Sequence, residues 1–439
     1  MIDKLKSLRN NTGFMKYFAN TSWLFGGRIL QMVASLLIGV WVTRYLGPEN
    51  LGTLSYAQSF IALFLAFSTL GLNGILVREL VKNPEDKNVL LGTTFILQTI
   101  GSAILMLALL VITFLMENDS FTRKIIIILG SVTFLDSFAI IDMYFQSIVR
   151  SKFSVLIGII NLVFSSIFKI ILILVEAPLI AFVYLIVLES ILSTCGLIYF
   201  YLKCNESLRN WKFSRSKVKQ LLMDSWPLVL SGIIVSIYMK IDQVMIKEMM
   251  NTASVGQYSA AVRLSEAWYF IPSVISTSLF PAIINAKKLN EELYYNRLQN
   301  LYDLMVVLSV SIALPMTFLS DWVVNLLYGN EFYLSGSVLS IHIWAGVFVF
   351  LGVSREGWVL GENLQRYTIL YLGLGMIFNV ILNIILIPYN GIYGAAMATL
   401  ISQAVSVLFA PVLFKKTRIS FFMMIKSLTF VSLINRIAK

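Results

Sequence analysis

Lys203-Cys-Asn-Glu-Ser-Leu-Arg-Asn-Trp-Lys-Phe-Ser-Arg-Ser-Lys-Val-Lys219 is the stretch on which the reading of this chain turns. Six of its residues are cationic (Lys203, Arg209, Lys212, Arg215, Lys217 and Lys219), and Glu206 is its one acid. It lies near the middle of a chain of 439 residues. The segments on either side are too apolar to face water, so the stretch reads as a basic linker between two halves of a membrane protein. Basic loops are retained in the cytoplasm, which fixes the side of the linker.

The composition supports this class. The chain is 58% hydrophobic and 13% charged, with a mean hydropathy of +0.81. Soluble domains carry about 25% charged residues. The net charge of +11 is not a nucleic-acid footprint, because the cations collect in alternate loops. Twelve spans are predicted, at residues 17–43, 52–76, 90–115, 125–148, 153–175, 178–202, 220–246, 256–284, 300–320, 335–358, 368–388 and 391–414. Loops on one side hold about 25 cations and those on the other about 4, namely Arg44, Arg123, Lys124 and Lys247. That asymmetry predicts cytoplasmic termini at both ends. The expected organisation is an N-terminal bundle (1–202), the linker (203–219), a C-terminal bundle (220–414) and an interfacial tail (415–439). The first span is too long for a cleaved signal and is expected to be retained.

The halves repeat. Leu51-Gly-Thr-Leu-Ser-Tyr-Ala57 parallels Val255-Gly-Gln-Tyr-Ser-Ala-Ala261, each opening the second span of its half. Lys169-Ile-Ile-Leu-Ile173 parallels Asn383-Ile-Ile-Leu-Ile387, and the same register sets Glu189 opposite Gln403. The expected fold is therefore all-α: two parallel six-helix bundles around a central cavity, with substrate bound between them.

Three stretches carry a family resemblance: Arg44–Tyr56, Leu70–Leu80 and Asn379–Ser402. The last combines asparagines at i and i+4, a proline stop and a Gly-x-x-Gly-Ala-Ala-x-Ala-Thr run. They resemble Wzx-type polysaccharide flippases, of the superfamily that includes MATE exporters and lipid II flippases. The resemblance implies inversion of a polyprenyl-pyrophosphate-linked oligosaccharide, an O-antigen or capsule repeat unit, across the bacterial cytoplasmic membrane. It also implies lipid-linked oligosaccharide, the bilayer and other polysaccharide-assembly proteins as partners.

Charges inside spans are the sharpest functional signal, since each costs about 2.5–3.5 kcal/mol at a helix centre. Arg28, Lys169, Lys240, Arg263 and Arg355 are candidates to line a cationic cavity that neutralises a pyrophosphate. Asp136, Asp142, Glu189 and Asp242 are candidates to balance those cations or to bind a coupling H⁺ or Na⁺. The small-residue run Gly391–Thr399 reads chiefly as helix packing. Asn379 and Asn383 share a helix face and serve equally as a cross-link or a cavity lining. Pro272, Pro281 and Pro315 are expected to kink their helices. His342 is the single histidine, so no metal site is expected. No nucleotide loop or catalytic constellation is present, and no resident cofactor is expected. Two other readings stay open: a MATE-like exporter of cationic drugs, which embedded cations would oppose, and a membrane glycosyltransferase or polymerase, which short outer loops would oppose.

Overall fold

The computed structural model describes residues 12–116, 119–432 and 434, with side chains from Ala34 onward, Met116 excepted. The described residues form helices and no strands. The first group comprises α1 (Thr12–Thr69), α2 (Leu72–Lys82), α3 (Lys87–Met116), α4 (Ser120–Asp136), α5 (Ile140–Ser147), α6 (Lys152–Leu174) and α7 (Leu179–Lys203). It is followed by α8 (Arg215–Met249), α9 (Thr252–Glu266), α10 (Phe270–Leu289), α11 (Glu291–Tyr328), α12 (Ser335–His342), α13 (Ala345–Gly361), α14 (Gln365–Ala404) and α15 (Arg418–Leu428).

Among the described residues, ten segments are long and apolar enough to cross a membrane. Two of them, Ala34–Lys82 and Gln365–Leu413, each run for 49 residues. A straight helix of that length would extend about 74 Å, over twice the hydrocarbon thickness. Each is broken at a glycine with positive φ: Gly47 (φ 67) followed by Pro48, and Gly391 (φ 58) three residues after Pro388. An L side chain is strained there and glycine is not. Each double-length segment therefore has a built-in turn where two passes were expected.

Further breaks fall in matching places of the two halves. Span 2 is interrupted at Leu70–Gly71 and span 8 at residues 267–269. Span 4 changes to a 3₁₀ turn at Ser137–Ala139, and span 10 breaks after His342. Pro272 falls in the first turn of α10, just past the span 8 break, where a missing N–H costs nothing. Pro315 lies within α11, which continues across it. Polar side chains start several helices. Asp119 accepts from the backbone N–H of Phe121 and Thr122, Asn251 from that of Ser254, and Asn290 from that of Glu292.

The chain packs as two units: Met1–Tyr45 with Phe60–Ser236, and Leu46–Ser59 with Ile237–Lys439. The division falls within α1 and α8 rather than at the basic linker. In the first unit, Leu76, Leu90, Ile141, Phe145 and Tyr201 form a core. The linker is docked on it. Trp211 Nε1 donates to Tyr201 Oη (3.0 Å), and its ring lies 5.3 Å from that of Phe95. The Lys212 backbone N–H donates to the Asn88 carbonyl (3.0 Å), an approach open because Gly92 has no Cβ there. Lys87 pairs with Glu206 (2.6 Å), and Lys217 with Asp86 (2.7 Å).

The second unit has its own core, with Tyr294, Leu298, Tyr302, Phe350 and Trp358. The tail helix α15 joins this core through Met423 and Met424, while Phe422 stays exposed. Leu46–Ser59 packs within this unit backbone to backbone. A Cβ on Gly52 would strike the Thr252 carbonyl, and one on Gly256 would strike that of Pro48. Outward-facing apolar side chains such as Phe114, Leu174 and Phe318 remain exposed on the helices. This is a multi-pass membrane protein, and lipid is the solvent those faces require.

Candidate functional site

The second unit buries a carboxylate among neutral donors. Asp242, on α8, is 4% exposed. Tyr258 Oη of α9 donates to its Oδ2 at 2.8 Å, and Thr399 Oγ1 donates to the same oxygen at 2.5 Å. Asn383 Nδ2 donates to Oδ1 at 2.6 Å and also reaches Asn379 Oδ1 at 3.1 Å. Asn379 Nδ2 contacts Ser402 Oγ at 3.4 Å. Among the described residues, no lysine or arginine comes within ion-pair distance of Asp242. Asn383 Oδ1 is buried and has no hydrogen-bond partner. Such a buried acceptor costs free energy unless something supplies a positive pole.

Local sequence builds this centre. Asn379 and Asn383 are one helical turn apart, so they share a face. The turn at Gly391 folds α14 back on itself, which sets Thr399 and Ser402 against that face. The two halves of α14 meet at backbone distance, because a Cβ on Gly394 would strike the Leu386 carbonyl. Ser59 Oγ donates to Gln243 Oε1 (2.7 Å), and His342 Nδ1 bonds Ser265 Oγ (2.9 Å), with the His342 and Tyr258 rings T-shaped at 6.1 Å between centroids. His342 is thus a packed, hydrogen-bonded side chain.

The other charged candidates are dispersed. In the first unit, Lys169 pairs with Glu189 at 2.9 Å, and both bond Ser165 Oγ, at 2.6 and 2.5 Å. A residue considered for the substrate and one considered for charge balance therefore neutralise each other. Asp142 accepts from Ser154 Oγ and from Gln146 Nε2 (2.9 Å). Asp136 is exposed beside the 3₁₀ break. In the second unit, Arg355 is 5% exposed, donates to the Val407 carbonyl (2.7 Å) and lies over the Tyr371 ring (4.7 Å). Arg263 reaches Ser55 Oγ at 3.5 Å. Lys240 is half-buried, two residues from Asp242. The side chain of Arg28 lies outside the described residues.

Residues 17–287 match the family model described as "Polysaccharide biosynthesis protein". The chain belongs to this family. It is 27% identical over 177 residues to a probable low-salt glycan biosynthesis flippase of Haloferax volcanii, a match spanning 38% of this chain and 36% of the relative. The chain thus covers about a third of that relative's length. Among solved structures it resembles an inward-facing multidrug resistance MATE family transporter of the MOP superfamily (TM-score 0.75, 16% identity, 90% of this chain and 96% of the other). It also resembles the lipid II flippase MurJ in an inward closed conformation (TM-score 0.69, 15% identity, 95% and 92%). These structural likenesses establish the fold, and they agree with the all-α architecture expected from the spans and with the MATE likeness implied by the motif resemblance.

In this polysaccharide biosynthesis protein, sequence reasoning singled out Asp242 as an embedded acid and Asn379 with Asn383 as a polar face. It did not join them, because 141 residues separate Asp242 from Asn383. Tyr258 and Thr399 were missed. Both sat in stretches already noted, one in the repeat motif and the other in the small-residue run. A hydroxyl within a run of alanines was the available signal.

Proposed function

We propose that this protein is a flippase for a lipid-linked glycan, with a monovalent cation exchanging at Asp242. The observation that carries the reading is a membrane-buried carboxylate with no cationic partner, set beside an orphaned amide oxygen. Ionisable groups at such depth mark ion or substrate pathways. Asp242, Asn379, Asn383 and Thr399 offer only oxygens as ligands, the donor set a hard cation such as Na⁺ prefers, and a proton can serve the same carboxylate. The family match supplies the glycan context, and the polyprenyl-pyrophosphate carrier follows from the motif resemblance.

Lys169 and Arg355 are already engaged by protein groups. The anionic head group is then left to Arg28 and Lys240, with Arg263 as a further candidate. The bilayer is the bacterial cytoplasmic membrane, with both termini cytoplasmic and alternating access between halves as the transport mode.

The test is flipping of a polyprenyl-pyrophosphate-linked oligosaccharide in proteoliposomes, driven by an imposed Na⁺ or H⁺ gradient. Asp242→Asn keeps the shape of the centre and removes its charge, and gradient-driven flipping should fall at least about 100-fold. Na⁺ that binds the folded state should raise the melting temperature of the wild type and not of Asp242→Asn. Full gradient-driven flipping by Asp242→Asn would remove Asp242 from the mechanism. Wild-type protein that flips no lipid-linked glycan under either gradient would remove the flippase reading itself.

A further inference from the structure

A second polar site lies in the second unit, away from Asp242. At the end of α11 remote from Asn290, a cavity of about 350 Å³ opens between α11, the following turn and α12. That volume lies in the range of small-molecule sites. The buried side chains of Val324 and Phe332 are part of its lining. Asp321 and Asn325, one turn apart on α11, line it together with Asn330 and Ser337; the first three are exposed and Ser337 is half-buried. Among the described residues, these four polar side chains have no hydrogen-bond or ion-pair partner in the protein. Tyr333 stands at the mouth with 73% of its surface exposed.

The walls are held rigidly. Buried Gln257 donates to the Glu331 carbonyl (2.7 Å), and Ser335 Oγ donates to the carbonyl and the side-chain oxygen of Gln257 (2.7 and 2.8 Å). Gly336 brings α12 against Asp321, where an added Cβ would strike the carboxylate oxygen Oδ1 and lie 2.8 Å from Cα. A site held this way is already shaped before a ligand arrives, which lowers the ordering cost of binding.

We infer that this cavity binds a sugar residue of the transported glycan. Its lining contains no lysine or arginine, so it does not suit a phosphate or pyrophosphate. It is too large for a bare cation and offers a single carboxylate. A carboxylate and two amides supply the alternating acceptors and donors that adjacent ring hydroxyls need. An exposed tyrosine face suits the C–H face of a pyranose ring. The loop charges place this end of α11 on the outside, where the head group arrives. The choice of a glycan ligand rests on the flippase reading, whereas the cavity does not.

The experiment uses full-length protein in nanodiscs and saturation-transfer NMR. The probes are N-acetylglucosamine, galactose and the oligosaccharide released from the polyprenyl-linked pool of the cells that make the protein. Binding should be seen with the released oligosaccharide. It should weaken about tenfold in Asp321→Asn and in Tyr333→Ala, as expected for losing one charged hydrogen bond or one stacking face. Asn325→Trp fills the cavity from an exposed position and should abolish binding, with a melting temperature like that of the wild type. Equal binding by wild type and Asn325→Trp would overturn the inference. So would silence of all three probes, or tetraethylammonium binding where the sugars do not. Flipping is scored separately. If flipping persists while sugar binding fails, the subsite falls and the flippase stands. Sugar binding by a protein that flips nothing has the opposite meaning.

Discussion

Lys169 and Glu189 show how a charge in a membrane helix is made tolerable. Their side chains are 27% and 22% exposed, and Ser165 bridges them. Removing one partner leaves the other charge unpaired, at about 1–2 kcal/mol after allowing for partial exposure. Lys169→Met should therefore lower the melting temperature by several degrees. Lys169→Met combined with Glu189→Gln should recover most of that loss, because the stranded charge is gone. A double mutant as unstable as the single one would mean that Lys169 acts through packing, and the measurement is a thermal melt in detergent. Sequence placed both residues in spans but could compare them only with neighbours on their own helices. Their pairing needs α6 laid against α7, which no local spacing reveals.

At the scale of the element, the breaks decide most of the architecture. Gly391 adopts φ 58, a conformation that costs an L residue about 1 kcal/mol or more, and a Cβ there would meet the end of the Met250 side chain. Gly394 has ordinary backbone, but its Cβ would strike the Leu386 carbonyl, which cannot yield as a methionine tip can. Gly394→Ala should therefore destabilise more than Gly391→Ala. It should also part the Asn379–Asn383 face from Thr399 and weaken any Na⁺-dependent rise in melting temperature. The reverse order of stabilities would mean that the turn, and not the close contact, holds the centre together. The proline stop in Asn379–Ser402, Pro388, flagged the turn at Gly391 in the sequence, and the span lengths followed from hydropathy alone. The small-residue run read as packing is that packing, but it also carries Thr399 to the carboxylate. The tail helix was expected at the interface, yet Met423 and Met424 are core residues of the second unit.

For the whole molecule, the repeat was legible because glycine, serine and alanine recur at one spacing, and the paired breaks in spans 2 and 8 and in spans 4 and 10 extend it. The packing units were not legible. Nothing in the composition of Leu46–Ser59 says that it packs with later helices through Gly52 and Gly256. The linker was recognised by its charge, but Trp211 and Glu206 bind it to the first unit instead of leaving it free. Sidedness is tested with topology reporters. Fusions at Lys212 and Lys287 should report the cytoplasm, and fusions near Asp119 and at Tyr328 the exterior. A cytoplasmic signal at Tyr328 would break the twelve-pass arrangement and would put the sugar cavity on the wrong side.

The repeat register aligns Lys169 with Asn383, and the two halves treat that position differently. One supplies its own ammonium to a carboxylate, and the other presents an amide to Asp242. The difference sets an electrical account for the transport cycle. Under the proposed exchange at Asp242, the Lys169–Glu189 pair adds no net charge of its own, whereas a cation held at Asp242 does. In that proposal, one monovalent ion crossing per cycle draws about 2.3 kcal/mol from a potential of 100 mV, a bias of roughly 50-fold, to which the ion's concentration gradient and the charge of the pyrophosphate head group add their own contributions.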